Sequence, residues 1–211
     1  FPASGRFFAT ETARLEELNW SFEEGYLPVI HCKVNAEGLQ VDHALFQDGT
    51  ASERSEAVCA RLSLRNQGRE LVAVQVFVAL RSLGPAGGEV RALDVGPDGR
   101  SLCSPSSGHP LLGASISPDA AGCGVGDPSV SARHGQVPGV QKVQDEGGWC
   151  YGLLRYDVTL APREDWAVAY DCPIQTSGPV RDILCSTVPP RPEAFTGRVE
   201  QHKELWRERL K

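Results

Sequence analysis

The side chains best suited to chemistry in this sequence are its histidines, and they are scattered along the chain. No H-x-H or H-E-x-x-H pair occurs, so a metal site would need ligands from distant segments. His109 and His134 both fall in a stretch rich in proline and glycine, where a ligand contact is a hypothesis. His31 lies beside Cys32 in an apolar run and is interpreted as a packed histidine at the core or its rim. The sequence therefore predicts no metal and no cofactor.

Motifs for nucleophilic catalysis and phosphate binding do not stand out either. The chain has no G-x-S-x-G elbow, and none of its cysteines has a catalytic flanking signature. The segment 122–126 (GCGVG) superficially resembles a phosphate loop. Such a loop needs a following helix with Lys-Ser/Thr or a third spaced glycine, whereas Asp127-Pro128 follows here. We therefore expect a flexible loop at 122–126.

Acidic residues occur as adjacent pairs, among them Glu23-Glu24 and Glu164-Asp165. A glycosidase places two carboxyl groups on opposite sides of the scissile bond, in a cleft. Neighbouring residues of a strand point to opposite faces of the sheet, so one pair cannot supply that geometry. These pairs are predicted to be solvated turn and edge residues, and we assign no catalytic residue.

Tryptophan and tyrosine side chains could form a platform for sugars, because pyranose faces pack on aromatic rings. Each of these residues sits within an apolar strand pattern, so a core position is favoured for them. Trp149 is the best candidate for a ligand contact because it ends the segment rich in proline and glycine. The aromatic residues considered are Trp20, Tyr26, Trp149, Tyr151, Trp166 and Tyr170.

Charge and cysteine content limit the partners and the compartment. The 211 residues carry a formal net charge of −6, which argues against nucleic-acid binding, and no apolar run is long enough to cross a bilayer. The 7 dispersed cysteines lack C-x-x-C spacing, which favours free thiols in a reducing compartment and hence the cytoplasm over secretion. The glycosylation triplet Asn19-Trp20-Ser21 leaves the compartment open.

A β-rich fold must position all of these side chains. Strand patterns with turns at regular spacing predict an all-β, antiparallel β-sandwich or barrel-like double sheet. Hairpin turns are predicted at 35–38 and 96–99. The run 71–80 is apolar on both faces, which predicts a central strand packed between layers. Residues 104–148 show little periodicity, which predicts a long irregular loop suited to binding or to an interface.

The end of the chain follows a different period. Phe195, Val199 and Trp206 recur among charged residues at the spacing of one helical face. We expect a β-sandwich domain over 1–190 and an amphipathic linker helix over 191–211. As a connector, the helix would offer these three residues to a neighbouring domain, and their full burial within this domain would argue against that role.

Four segments together carry a resemblance to a known family. They are 22–29 (FEEGYLPV), 64–68 (LRNQG), 152–162 (GLLRYDVTLAP) and the tail 195–206. The chain resembles the N-terminal β-sandwich, or supersandwich, domains that precede (α/α)6-barrel catalytic domains in glycoside hydrolases and related phosphorylases. The resemblance implies two large antiparallel sheets that pack on such a barrel. It also implies that the catalytic acid and base lie in the barrel, so that no catalytic role transfers to a residue of this chain.

Three hypotheses of function follow. The first is a non-catalytic β-sandwich module of a carbohydrate-active enzyme that packs on the catalytic barrel and helps to shape it through the segment 104–148 and the tail helix. The second is a free-standing carbohydrate-binding or adhesion module, which predicts a line of exposed aromatic residues on one sheet face. The third is an enzyme whose site has no recognisable motif.

Overall fold

The computed structural model describes residues 7–8, 18–48, 56–82, 88–174 and 192–211. The fold is all-β and antiparallel, a β-sandwich with a C-terminal helix, as the sequence predicts. The chain forms two compact units. The middle unit comprises Phe7 and the described residues of Ala73–Thr159, and the flanking unit comprises the described residues of Phe8–Val72 and Leu160–Lys211. Most of the strand predicted at 14–20, and Cys185, lie outside the described residues.

The described strands and helices alternate with short turns. In chain order they are β1 (Asn19–Glu23), β2 (Leu27–Ala36), β3 (Leu39–Asp48), β4 (Glu56–Asn66), β5 (Val72–Arg81), β6 (Ala92–Val95), β7 (Ser101–Cys103), β8 (Pro110–Ala114), β9 (Ala120–Val125), α1 (Pro128–Arg133), β10 (Lys142–Gln144), β11 (Cys150–Leu160), β12 (Asp165–Ile174) and α2 (Pro192–Arg209).

The flanking unit is an antiparallel sheet in the order β1-β2-β3-β4-β12, with α2 packed on one face. The predicted β2–β3 hairpin is confirmed: Glu37 and Gly38 both have positive φ, at 50° and 79°, which suits the twist of a two-residue turn. The register aligns Val29, Phe46, Cys59 and Asp171 in one row across the helix-covered face. This row therefore brings a carboxylate and a thiol under α2.

The opposite face of this sheet carries mostly apolar side chains. The aligned row there is Ile30, Leu45, Ala60 and Tyr170. On the edge strand β1, Trp20 and Phe22 stand opposite Cys32 and Ile30, and each is 54 % exposed. The predicted core position is therefore wrong for Trp20, and also for Tyr26 and Trp149, which are likewise more than half exposed. An edge strand and two turns cannot enclose such large rings.

Asn66 ends β4 and organises the turn that follows. Its Nδ2 donates to the carbonyl oxygens of Glu70, at 2.8 Å, and Leu160, at 3.0 Å. Its Oδ1 accepts a hydrogen bond from the backbone N–H of Gly68. Asn66 is fully buried, so these partners satisfy an amide that would otherwise be costly to bury. This network explains the Asn-x-Gly sequence at the end of the strand.

The middle unit consists of two sheets, β8-β7-β6-β10 and β5-β11-β9. Gly152 on β11 faces the other layer, where a Cβ would lie 2.6 Å from Leu102 Cδ1 and 2.8 Å from Leu93 Cδ2. The prediction that 71–80 is a central strand is wrong, because β5 stands at the end of its sheet's order. Its buried residues Val74, Val76 and Val78 alternate with less buried ones, so β5 buries only one face.

The segment 104–148 is not one long irregular loop, because it contains three strands and a helix joined by irregular stretches. These elements are β8, β9, α1 and β10. The flexible loop predicted at 122–126 is also wrong, since most of it forms β9. A Cβ at Gly122 would lie 1.9 Å from the carbonyl oxygen of Pro138, and one at Gly124 would lie 2.6 Å from the ring of Tyr151. The glycines are therefore required because the backbone at Pro138 passes close to Gly122 and the ring of Tyr151, on the paired strand β11, covers Gly124.

Candidate functional site

Trp149 is presented at the surface of the middle unit at the start of β11. Its backbone N–H donates to Oδ2 of Asp145 at 2.9 Å, and its carbonyl accepts from the N–H of Gly126 at 2.9 Å. A Cβ at Gly147 would lie 3.1 Å from Trp149 Cδ1, so the indole lies against that glycine. The side chain is 54 % exposed, and stacking on a ligand is therefore sterically possible.

His109 and His134 lie in separate turns of the middle unit. His109 is half-buried, its N–H donates to Oγ of Ser107, and its carbonyl accepts from Ser104. His134 is exposed and ends α1, where its N–H donates to the carbonyl of Ser131. None of the contacts described for these histidines joins either of them to Trp149. A shared ligand contact therefore stays a prediction.

The three apolar residues predicted to meet a neighbouring domain differ in burial. Phe195 is only 2 % exposed and packs edge to face on Phe46, with ring centroids 5.4 Å apart. The guanidinium of Arg61 lies over the same ring, 5.1 Å from its centroid. Val199 is partly buried against this core. Almost none of Phe195 is left for a partner, because its own sheet covers it.

Trp206 is half-buried on the last turns of α2. Its ring centroid lies 6.2 Å from that of His202, and the guanidinium of Arg209 lies 5.5 Å from its centre. Leu210, just after the helix, is 60 % exposed. Surface that could meet a partner is therefore found towards the C-terminal end of α2.

Arg198 fastens α2 to three strands of the sheet. Its Nε and Nη2 donate to Oδ2 of Asp48 at 2.9 and 2.6 Å, and its Nη1 donates to both oxygens of Asp171 at 3.2 and 3.0 Å. Nη2 also lies 2.6 Å from Sγ of Cys59. Burial acts to lower the pKa of Arg198, but Asp171, Cys59 and Asp48 outweigh it and raise the pKa. Arg198 is thus a permanently charged anchor.

Cys59 is fully buried in this cluster and is not an activated nucleophile. Burial raises the pKa of its thiol strongly, and the carboxylate of Asp171 raises it further, against the opposing effect of Arg198. The thiolate is the reactive form of cysteine, and it is suppressed here. The six cysteines in the described part of the chain are all free.

A second anchor lies further along α2, at Lys203. Its Nζ lies 3.2 Å from Glu23 Oε1, 3.3 Å from Glu24 Oε1 and 3.0 Å from Glu200 Oε1. Glu200 raises the pKa of Lys203 above its ordinary value despite some desolvation, and Glu23 and Glu24 raise it further. Glu23 in turn lies 2.9 Å from Nε2 of His31. The acidic pair Glu23-Glu24 therefore binds the helix and is not merely a solvated turn.

Arg207 extends the same contact by one turn of helix. Its guanidinium pairs with Glu24 and hydrogen-bonds Tyr26. Both partners lie in the turn that joins β1 to β2. The three cations of α2 thus all bind one end of the sheet, where β3 ends at Asp48 beside the start of β2 and the β1–β2 turn.

His202 is a buried polar residue between these anchors. Its ring lies 4.9 Å from that of Phe46, and its Nε2 is buried without a hydrogen-bond partner among the described residues. Burial lowers the pKa of His202, although Asp48 opposes the shift. The imidazole is therefore held in its neutral form against the sheet.

The anchoring residues were not identified from the sequence. A period-based interpretation treats Arg198, Lys203 and Arg207 as the solvated side of an amphipathic helix. A signal did exist in Asp171, a carboxylate between Tyr170 and Cys172 in an otherwise apolar strand, since a charge in such a position needs a partner. The pairing itself depends on contacts between residues more than a hundred positions apart, as for Arg198 and Asp48.

Within the described ranges, no group of three or more histidine, cysteine or acidic side chains could hold a metal ion. The same residues include no helix with the length and apolar character needed to span a membrane.

Comparison with known proteins finds likeness in structure but none in sequence. No protein-family model matches the chain, and no curated protein matches it in sequence. Among solved structures, the chain is similar to one titled "Putative kojibiose phosphorylase from human microbiome", with a TM-score of 0.43 and 11 % sequence identity. The match covers 85 % of this chain and 23 % of that chain, so the likeness spans under a quarter of the solved protein.

Proposed function

We propose that this chain is a non-catalytic β-sandwich module of a carbohydrate-active enzyme, a glycoside hydrolase or related phosphorylase. In this role it packs on an (α/α)6 catalytic barrel, in the same chain or in a partner chain, and helps to shape it. Helix α2 is the element that holds the sheet at a fixed position next to the barrel. The chemistry belongs to the barrel, and this chain supplies no catalytic group.

The observation that carries the proposal is the attachment of α2 to the sheet. Two of the four segments of the family resemblance meet there, because Lys203 of the tail binds Glu23 and Glu24 of the segment 22–29. Arg198, whose side chain is partly exposed, adds an ion pair with the buried carboxylate of Asp171, which is 4 % exposed. In some proteins buried ion pairs specify one geometry more than they add stability, and such a role would suit a helix that must keep a fixed orientation.

The part of α2 proposed to meet the barrel is its C-terminal end. Trp206 keeps part of its ring accessible, Val199 is partly buried, and Leu210 is exposed. Phe195 contributes indirectly by fixing the first turns of α2 on Phe46. The interdomain role is therefore proposed for Trp206 first, with Val199 and Phe195 supporting the position of the helix.

The reading frame beyond Lys211 tests this proposal most directly. A long helix-rich continuation, or a co-transcribed chain of that kind which co-purifies with this one, is expected. A lone gene with no such partner would exclude the barrel-packing role. Assays of the 211-residue chain on disaccharides, with and without inorganic phosphate, are expected to show no turnover above the uncatalysed rate.

A second candidate function is that of a free-standing carbohydrate-binding or adhesion module. The observation in its favour is the pair Trp20 and Phe22, which share one face of β1 and are both 54 % exposed. Two such rings on one strand are the beginning of the aromatic line that a sugar-binding face requires. A glycan array with the wild type and Trp20→Ala separates the candidates, because only this second function predicts binding that is lost in Trp20→Ala.

A further inference from the structure

His202 lies on the face of α2 that packs on the sheet, between the anchor at Arg198 and those at Lys203 and Arg207. The residue is 9 % exposed, and its ring centroid lies 4.9 Å from that of Phe46 on β3. An imidazole differs from the apolar rings around it because its two nitrogens can carry one proton or two. The surroundings of each nitrogen therefore decide which form can stay in this place.

Only one ring nitrogen of His202 has a partner. The carbonyl of Pro28, on β2, accepts a hydrogen bond from the ring. Nε2 is buried without a partner among the described residues, so the bond to Pro28 comes from Nδ1. A neutral imidazole fits these surroundings, because Nδ1 donates its hydrogen and Nε2 carries only a lone pair.

The protonated ring does not fit the same surroundings. A proton on Nε2 creates a positively charged donor where no acceptor is provided, and an unpaired charge is costly to bury. Of the charged groups that act on the ring, Asp48 at the end of β3 favours the proton and Arg209 on α2 opposes it. Asp48 is already engaged, since its Oδ2 accepts two hydrogen bonds from Arg198. Burial accordingly lowers the pKa of His202.

The first turns of α2 are held by contacts that mild acid leaves intact. Phe195 packs on its sheet, and Arg198 binds the groups that β4 and β12 present beneath it, Cys59 and Asp171. A guanidinium and the carboxylates paired with it keep their charges in the pH range in which histidine titrates. This part of the helix should therefore stay on the sheet when His202 gains a proton.

The later turns of α2 depend on His202 and on partly exposed ion pairs. Lys203 and Arg207 bind the acidic pair Glu23-Glu24, whose side chains are 28 % and 34 % exposed. Ion pairs that water reaches contribute little to holding a helix in place. The half-buried ring of Trp206 lies beside the imidazole, with 6.2 Å between the ring centroids. Loss of the imidazole from its place would therefore remove a packing partner of Trp206.

We propose that His202 makes the attachment of α2 sensitive to acid: protonation at Nε2 drives the ring away from Phe46 and loosens the turns 202–209, while the turns around Arg198 stay on the sheet. This device belongs to the chain itself and needs no partner. Its consequence for docking rests on the proposed function, since the loosened end of α2 is the surface proposed to meet the barrel. Docking at that end weakens in acid.

An NMR titration of the 211-residue chain from neutral to mildly acidic pH tests the device. It follows the imidazole of His202 and the backbone amides of α2. As His202 gains its proton, the amides of 202–209 are expected to lose their helical shifts, whereas those of 195–199 keep them. His202→Phe places an uncharged ring on Phe46, so all these amides should keep their shifts throughout. His202→Gln, which also cannot gain the charge, carries the same expectation.

His43→Gln is the matched control for the acid response. Burial lowers the pKa of His43 too, but this residue lies on the opposite face of the same sheet, where it bonds Tyr170. The control should lose its α2 shifts in acid as the wild type does.

Two results would overturn the device. One is that His202 becomes protonated while the amides of 202–209 keep their helical shifts. The other is that these amides change equally in the wild type and in His202→Phe. Neither result concerns the reading frame beyond Lys211, so failure of the device and failure of the proposed function are distinguishable.

Discussion

The layers within each of the two units of this protein are held together by a different kind of contact. In the middle unit the two sheets pack through complementary shapes. For example, Gly152 has no side chain, which leaves room for Leu93 and Leu102 of the facing sheet. In the flanking unit α2 is fastened to its sheet by ion pairs, led by Arg198 with Asp48 and Asp171. Packing contacts respond to volume, whereas ion pairs respond to charge, pH and salt. Each unit should therefore be sensitive to changes that the other tolerates.

The largest expected effect is that of Arg198→Ala in the flanking unit. This change leaves the carboxylate of Asp171, which is 4 % exposed, without its cation. Breaking a buried pair in this way costs about 3–5 kcal/mol of the free energy of unfolding. Hydrogen exchange measured by mass spectrometry should show faster exchange in α2, β4 and β12, with the sheets of the middle unit unchanged.

The double variant Arg198→Met with Asp171→Asn sharpens this test. Because it removes both charges, it should cost less than the sum of the two single changes. A cost of no more than about 1 kcal/mol for Arg198→Ala alone is the value of a surface pair. It would show that the buried carboxylate of Asp171 does not depend on Arg198.

The next largest effect is expected in the middle unit, from Gly122→Ala. The new Cβ would meet a backbone atom, the carbonyl oxygen of Pro138, so the crossing segment must move. Overpacking of this kind costs about 1–3 kcal/mol in urea unfolding. Gly139→Ala is the control in the same segment, because nothing lies within 4 Å of its Cβ position. Equal stability of the two variants would refute the close crossing.

A smaller effect is expected when the pH is lowered, which should reduce the stability of the flanking unit. Burial lowers the pKa of His202 and also that of His43 below the ordinary 6.5. As the pH falls, these histidines are protonated in the unfolded chain before they are protonated in the folded one. Their contribution to stability is therefore complete above about pH 6.5 and is lost as the pH falls towards their lower folded-state pKa values. His202→Gln should flatten part of this loss, and thermal unfolding in buffers from neutral to mildly acidic pH measures it. If the stability of the variant depended on pH as steeply as that of the wild type, His202 would not be the group whose protonation destabilises the fold.

The smallest effect is expected for Arg207, the most exposed of the three cations that bind α2 to the sheet. Arg207→Gln removes a pair with Glu24 that water largely screens, so only a small shift of the thermal unfolding midpoint is expected. Thermal melts of the wild type and the variant should converge in 1 M salt, where the Debye length is about 3 Å. A difference that persists in high salt would show that the pair is shielded from solvent.

Most of the strands could be predicted because their signals are local. The hairpin at 35–38 needs only residues that accept positive φ, and β4 and β11 show alternation along their own length. The strands of the segment 104–148 are short, and β9 and β10 pair with β11 and β6 rather than with the next strand in the chain, which explains why the sequence did not predict them. Local propensity carries no information about those partners.

The candidate site was less predictable than the fold. Trp149 was identified from its position, yet its exposure depends on the pairing of β9 with β11. The pattern of Phe195, Val199 and Trp206 predicted a helix but not the surface that covers it. Burial of Phe195 against Phe46 required the two to meet from opposite ends of the flanking unit's sequence.

The sequence by itself determined the all-β character, the hairpin turns, the helical tail and the lack of recognisable catalytic motifs, because each depends on residues close together in the chain. Tertiary structure alone decided that Arg198 and Lys203 are anchors, that neighbouring groups leave no room for a side chain at Gly122 and Gly124, and that Trp149 is more than half exposed. Burial and ion pairing are properties of neighbours in space, and a pattern of residue types cannot identify those neighbours.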